Sequence, residues 1–175
     1  MRFKLLFIAL SIFTSCKQHV KPEAVSEKTA ISKVEDVNLN IYDYDGLEPL
    51  LNQQDNKIHV VNFWATWCGP CVKELPYFEA VGNKYANKNV EVLLVSLDFP
   101  HQYDTKLKPF IVEHKIKSEV VVLDDVDMNT WIPKVNPDWS GAIPATIIYK
   151  ENKRVFFERS FTQDELETEL KPFLE

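Results

Sequence analysis

Apolar and polar positions along this chain repeat with two different periods, and the periods separate strands from helices. Val37, Leu39 and Ile41 alternate with polar residues, which predicts a short edge strand. Residues 58–65 are apolar on both faces, as a central buried strand requires. A helix is predicted to begin near Cys68, with Pro70 suited to its first turn. Its apolar side runs through Val72, Leu75, Phe78 and Val81, and Pro76 is expected to kink it. Residues 90–97 read as a second buried strand and 105–115 as a helix, with Leu107, Phe110, Ile111 and His114 on related faces. A third strand (120–123) and a short helix (127–134) follow. Strands at 145–149 and 154–159 flank Lys150-Glu151-Asn152-Lys153, which reads as a hairpin. Thr162 and Glu165 make a capping box for a last helix, whose Leu166, Leu170 and Leu174 recur every four residues. After the edge strand the order is β-α-β-α-β-α-β-β-α, with no internal repeat. That order predicts an α/β sheet closed by an antiparallel hairpin.

The amino terminus breaks this pattern. Arg2 and Lys4 precede an apolar run from Leu5 to Phe13, the length of a secretory signal and too short for a permanent membrane span. Thr14 and Ser15 then lead to Cys16, with no A-x-A cleavage pattern nearby. A lone Cys here resembles the lipobox of bacterial lipoproteins, although Phe13 stands where Leu is usual. The expected division is a signal peptide (1–15), a lipidated Cys16 with a tether (16–36), and a folded domain (37–175). An ordinary signal or an uncleaved anchor with an incidental Cys is the alternative. The tether is polar and lacks an apolar period. Twenty flexible residues reach about 25 Å on average and about 70 Å fully extended, enough to meet membrane-proximal partners.

Composition narrows the function. The 175 residues suit one domain, and 45% hydrophobic with 26% charged residues is ordinary globular usage. Twenty Lys and Arg against 26 Asp and Glu leave a net charge of −6. Such a chain repels phosphate backbones, so no nucleic-acid partner is expected.

The informative chemistry is Trp67-Cys68-Gly69-Pro70-Cys71. A C-x-x-C pair where a buried strand gives way to a helix is the setting of a thioredoxin-like redox motif. Unpaired N–H groups and the helix dipole stabilise an anion there, so a thiolate at that position is favoured and reactive. Cys68 is expected to attack and Cys71, one turn in, to resolve. Pro70 restricts the turn between them, and Gly69 permits close approach of a partner chain. A structural disulfide closing so small a loop would constrain the unfolded chain little. Zinc needs about four ligands, and His19, His59, His101 and His114 lack ligand spacing, so no metal is expected. Haem attachment needs His where Val72 stands. No cofactor beyond a Cys68–Cys71 redox disulfide is expected. His101 and the acidic run Asp124-Asp125-Val126-Asp127 read as loop residues, and Trp64 as core packing.

Residues 61–71, Val-Asn-Phe-Trp-Ala-Thr-Trp-Cys-Gly-Pro-Cys, resemble the active-site segment of the thioredoxin superfamily. More narrowly, they resemble the TlpA-like, membrane-anchored thiol–disulfide oxidoreductases of bacteria. The resemblance runs from about Val37 to Glu175 and implies a thioredoxin-like fold, a central mixed sheet flanked by helices with a short N-terminal strand extension. Pro76 matches the family's proline five residues after the second Cys. Ala142-Ile143-Pro144-Ala145-Thr146 matches the family's cis-proline loop. In relatives that loop packs beside the disulfide, which implies that the Ile143 backbone hydrogen-bonds an extended substrate segment. Trp67, Gly69, Pro70, Ile143 and Pro144 form the expected substrate-contacting set. Thioredoxin carries a buried Asp where Asn62 stands, and Asn cannot titrate. Some TlpA-like relatives have a Glu three residues after the second Cys, where Glu74 stands. Spacing of i, i+3 puts Glu74 on the Cys71 face, so it is either a proton acceptor for the resolving thiol or a solvated surface residue paired with Lys73. Trp131 and Trp139 either cap the core or shape the partner groove.

The resemblance implies an enzyme of the bacterial cell envelope, facing the periplasm. It would act on envelope proteins carrying disulfides or thiols and draw electrons from a membrane donor. Gly69-Pro70 resembles thioredoxin more than the strong oxidants, which favours the reducing direction. Peroxide-reducing relatives carry Pro seven and Thr or Ser three residues before the reactive Cys, where this chain has Val61 and Ala65. A non-catalytic thioredoxin-fold scaffold usually lacks one Cys or the cis-proline, and both are kept here.

Overall fold

The computed structural model describes Val34 and residues 36–175. The signal peptide, Cys16 and all of the tether except Val34 and Asp36 lie outside the described residues. In chain order the elements are β1 (Asn40–Tyr42), α1 (Tyr44–Leu47), β2 (Ile58–Trp64), α2 (Gly69–Tyr85) and β3 (Val90–Ser96). They continue with α3 (Lys108–Glu113), β4 (Glu119–Leu123), α4 (Met128–Val135), β5 (Ala145–Lys150), β6 (Lys153–Phe157) and α5 (Gln163–Leu174). One six-stranded sheet runs β1-β4-β3-β2-β5-β6. β2 pairs parallel to β3 and antiparallel to β5, and β5–β6 is the predicted antiparallel hairpin.

Strand β2 shows why the sheet forms. All seven of its residues are buried, and its side chains alternate between two cores. Ile58, Val60 and Trp64 pack with Leu75, Phe78 and Val81 of α2 and Leu166, Leu170 and Phe173 of α5. Val61 and Phe63 face the opposite side, with Leu47, Leu51, Trp131, Val135 and Trp139. Each face thus meets a helical layer, which is why the strand reads as a continuous apolar run. Among the described residues, no helix is long and apolar enough to cross a membrane.

Several local expectations change. The edge strand pairs with β4 only over Asn40–Tyr42, and Ile41 is exposed on it. The helix expected at 105–115 is a 3-10 turn (Pro100–Gln102), a wide π turn (Tyr103–Leu107) and then α3. Pro109 falls in the first turn of α3, where its missing N–H is tolerated, so it suits a helix starting at Lys108 better than the interior of a longer one. The helix expected near Cys68 is unchanged: α2 runs from Gly69 to Tyr85 with Pro76 inside it. The hairpin is tighter than expected, with Lys150 paired to Lys153, and β6 stops at Phe157. In α5 the capping box forms, Thr162 N donating to Glu165 Oε2 at 2.8 Å. Phe173, rather than Leu174, completes its buried face. α1, capped by Asp43 and followed by a 3-10 turn at Glu48–Leu51, is too short for a periodicity to reveal.

Candidate active site

The C-terminal end of β2 delivers the redox pair. Ala65, Thr66 and Trp67 leave the sheet, and Cys68 caps α2, its Sγ accepting from the Cys71 N–H at 3.3 Å. Cys68 and Cys71 are joined as a disulfide, with Cα atoms 5.3 Å apart. Pro70 occupies the first turn of α2, where a missing N–H costs nothing. A side chain at Gly69 would meet nothing within 4 Å, so that face is open to a partner. Cys68 is 6% exposed and Cys71 is fully buried.

The facing wall is the segment before β5. The Ile143–Pro144 peptide bond is cis, and the Ile143 carbonyl oxygen lies 3.7 Å from Cys68 Sγ. Trp139 Nε1 donates to the Ala142 carbonyl at 2.8 Å. Glu158 accepts from the Ser140 hydroxyl and from the Ser140 and Ala142 N–H groups at 3.1 Å each. The bond from the Ser140 hydroxyl, aided by these backbone donors, holds the Glu158 carboxyl below its ordinary range. Trp131 and Trp139 are buried, and Trp139 packs on Phe63 and Phe156. They are core caps, and Trp139 also ties the cis-proline loop down. Trp67, by contrast, is largely exposed at the rim.

Glu74, one turn of α2 beyond Cys71, belongs to a buried polar cluster with Asn62 and Thr146. Glu74 is 1% exposed, so the reading of it as a solvated partner of Lys73 does not hold. Its Oε1 accepts from Asn62 Nδ2 at 3.0 Å and its Oε2 from the Phe161 N–H at 2.7 Å. Asn62 Nδ2 also donates to Thr146 Oγ1 at 3.1 Å, while Asn62 Oδ1 has no partner among the described residues. Burial pushes the Glu74 carboxyl up to about 7, against the opposing pull of the Phe161 N–H, Asn62 and Arg159. A carboxyl that titrates near neutrality, one turn beyond the resolving thiol, is suited to accept and return its proton.

Two further supports are absent from the sequence reading. Asp98, buried at the end of β3, accepts from the Thr66 N–H at 3.1 Å, the Thr66 hydroxyl at 2.5 Å and the Ser96 hydroxyl at 2.8 Å. It clamps the loop that carries Trp67 and Cys68. The other is Glu158. Only the position of Asp98 just past a predicted strand end, where sites of α/β folds collect, gave any signal. At the opposite end of β2, possible ligand atoms of Asp55, His59 and Glu91 lie within 4.8 Å of one another. The Lys57 ammonium, 2.6 Å from Glu91 and 3.7 Å from Asp55, already meets that charge.

Comparison with known proteins agrees with this geometry. Residues 32–157 match the AhpC/TSA family. The thiol-disulfide oxidoreductase ResA of Bacillus thuringiensis (strain Al Hakam) is 34% identical over 99 residues, 57% of this chain and 55% of that protein. ResA of Geobacillus thermodenitrificans is 30% identical over 133 residues, 74% of this chain and 70% of that protein. The chain spans about half the length of the first of these relatives. The thioredoxin domain of a thiol-disulfide oxidoreductase from Bacteroides vulgatus superposes with a TM-score of 0.54 at 26% identity, covering 69% of this chain and 81% of that one. The thioredoxin-like fold expected from the sequence is therefore present.

Proposed function

The chain belongs to the AhpC/TSA family, and from that premise we propose that it is an exported, membrane-anchored thiol–disulfide oxidoreductase working in the reducing direction. The carrying observation is the Cys68–Cys71 disulfide at the N-terminus of α2, facing the Ile143–Pro144 loop. In the reduced enzyme the Cys68 thiolate attacks one sulfur of a substrate disulfide. A mixed disulfide forms, and the other substrate sulfur leaves as a thiolate. Cys71 loses its proton toward Glu74 and attacks Cys68 Sγ, expelling the second substrate thiolate. The enzyme disulfide then holds the two-electron oxidation, and a membrane donor returns the electrons. The helix N-terminus stabilises the thiolate at Cys68 in both directions of exchange. Substrates are envelope proteins with disulfides, reached on the tether of residues 16–36.

Pre-reduced full chain should release two thiols from a protein disulfide for each Cys68–Cys71 disulfide formed. Its reduction potential should lie near that of thioredoxin, about −270 mV; a value near about −120 mV would reverse the direction. The anchor has its own test. Cys16→Ser should move the protein out of the membrane fraction or leave an unprocessed precursor. If the variant fractionates and migrates like the parent, the lipid is absent and an ordinary signal or uncleaved anchor takes its place.

A further inference from the structure

The end of the sheet that carries the disulfide also carries uncovered aromatic surface. Trp67 and Phe99 are 51% and 54% exposed. Their rings stack with centroids 6.1 Å apart and planes 17° from parallel. His101, also exposed, continues the stack at 5.9 Å and 9° from Phe99. Three near-parallel rings thus extend outward from the residue beside Cys68. Beside Trp67 a recess of about 490 Å³ opens among Thr66, Gln102, Thr105, Lys106, Pro109 and Glu113.

This surface is held in place. Asp98, the residue before Phe99, binds the Thr66 N–H and hydroxyl, so the exit of β3 is fastened to the loop that presents Trp67. The sheet order β3-β2-β5 then sets the layout. Cys68 follows β2, the Ile143–Pro144 loop precedes β5 on one flank, and Phe99 follows β3 on the other. A polypeptide bound with its sulfur at Cys68 and its backbone at Ile143 lies next to the stack. The rings succeed one another at 6.1 and 5.9 Å from Trp67, the neighbour of Cys68, and an extended chain advances about 3.3 Å per residue, so two or three residues of substrate match the reach from the cysteine to the first ring pair. Flat apolar rings, preordered and next to a reacting atom, complement another aromatic side chain, and such contacts concentrate binding energy.

We propose that the Trp67–Phe99–His101 stack is the specificity surface of the disulfide site, receiving an aromatic side chain two or three residues from the substrate's cysteine. This rests on the oxidoreductase reading and adds a substrate class to it. The test uses pre-reduced full chain and two disulfide-linked peptides that differ only at that position, one with Trp and one with Ser. The second-order rate constant should be about tenfold higher for the Trp peptide, the scale of one aromatic contact. Phe99→Ser should bring the ratio close to one, while Phe99→Trp should keep it. The ratio is the readout because a general loss of folding lowers both rates together. A parent ratio near one, or a ratio that survives in Phe99→Ser, overturns the proposal while the oxidoreductase reading stands. If the parent reduces neither peptide, the oxidoreductase reading fails and this surface loses its role with it.

Discussion

Cys71→Ser is expected to stop the full chain at a mixed disulfide on Cys68 and lower turnover by about 10³-fold or more. The Cα atoms of the pair are 5.3 Å apart and both residues are held by the first turn of α2, so resolution is intramolecular. Well-oriented intramolecular reactions have effective molarities of about 10⁵ M or above, which external thiols at millimolar levels cannot match. Envelope proteins should therefore accumulate on the variant as disulfide-linked adducts that disappear on reduction. Cys68→Ser should lose turnover as well, yet trap few adducts, because the remaining Cys71 is fully buried. Non-reducing gels of the two variants read the difference. Equal trapping by both would remove the assignment of Cys68 as the attacking thiol.

Glu74→Gln is expected to change the pH dependence of both stability and turnover. Burial raises this carboxyl from 4.5 to about 7 in the folded protein, so the folded state keeps a proton that the unfolded state has lost. The unfolded chain binds fewer protons across that interval, and stability must fall as pH rises. The stabilising contribution is complete below about pH 4.5 and is lost as pH passes through about 7. The span corresponds to about 3 kcal/mol. Gln cannot ionise, so the variant should lack this decline. Denaturant unfolding of the oxidised parent and variant at pH 5 and pH 8 isolates the difference, because all other groups are shared. Parallel stability curves would mean that Glu74 does not titrate in this range.

The same substitution bears on the resolving thiol. An anionic carboxylate one turn from Cys71 opposes a second negative charge, so its removal should lower the Cys71 pKa and shift the pH–rate profile. A pH–rate profile identical to the parent's would leave Glu74 a structural residue. Stability and rate together therefore separate a merely buried acid from one that handles the proton of the resolving step.

What the sequence determined by itself was the C-x-x-C motif at a helix start and the core strands. The C-x-x-C pair, Pro70 in the first turn and the Thr162–Glu165 box are contacts within a few residues, so spacing alone reveals them. β2 was legible because an apolar run without helical period has few other places in a folded chain. Ile143–Pro144 was recognisable from its motif, and its cis bond is present. Tertiary structure decided what those residues experience. Helical spacing placed Glu74 on the Cys71 face, but its burial required Phe161, 87 residues later, to donate to it, and Asn62 on β2 to complete the cluster. Asp98 reaches Thr66 across 32 residues, and Phe99 meets Trp67 only because β3 lies beside β2. Hydrogen bonds and periods within one element are written in neighbouring residues. Desolvation of a carboxyl and stacking of rings from different strands arise only when distant segments pack together and exclude water.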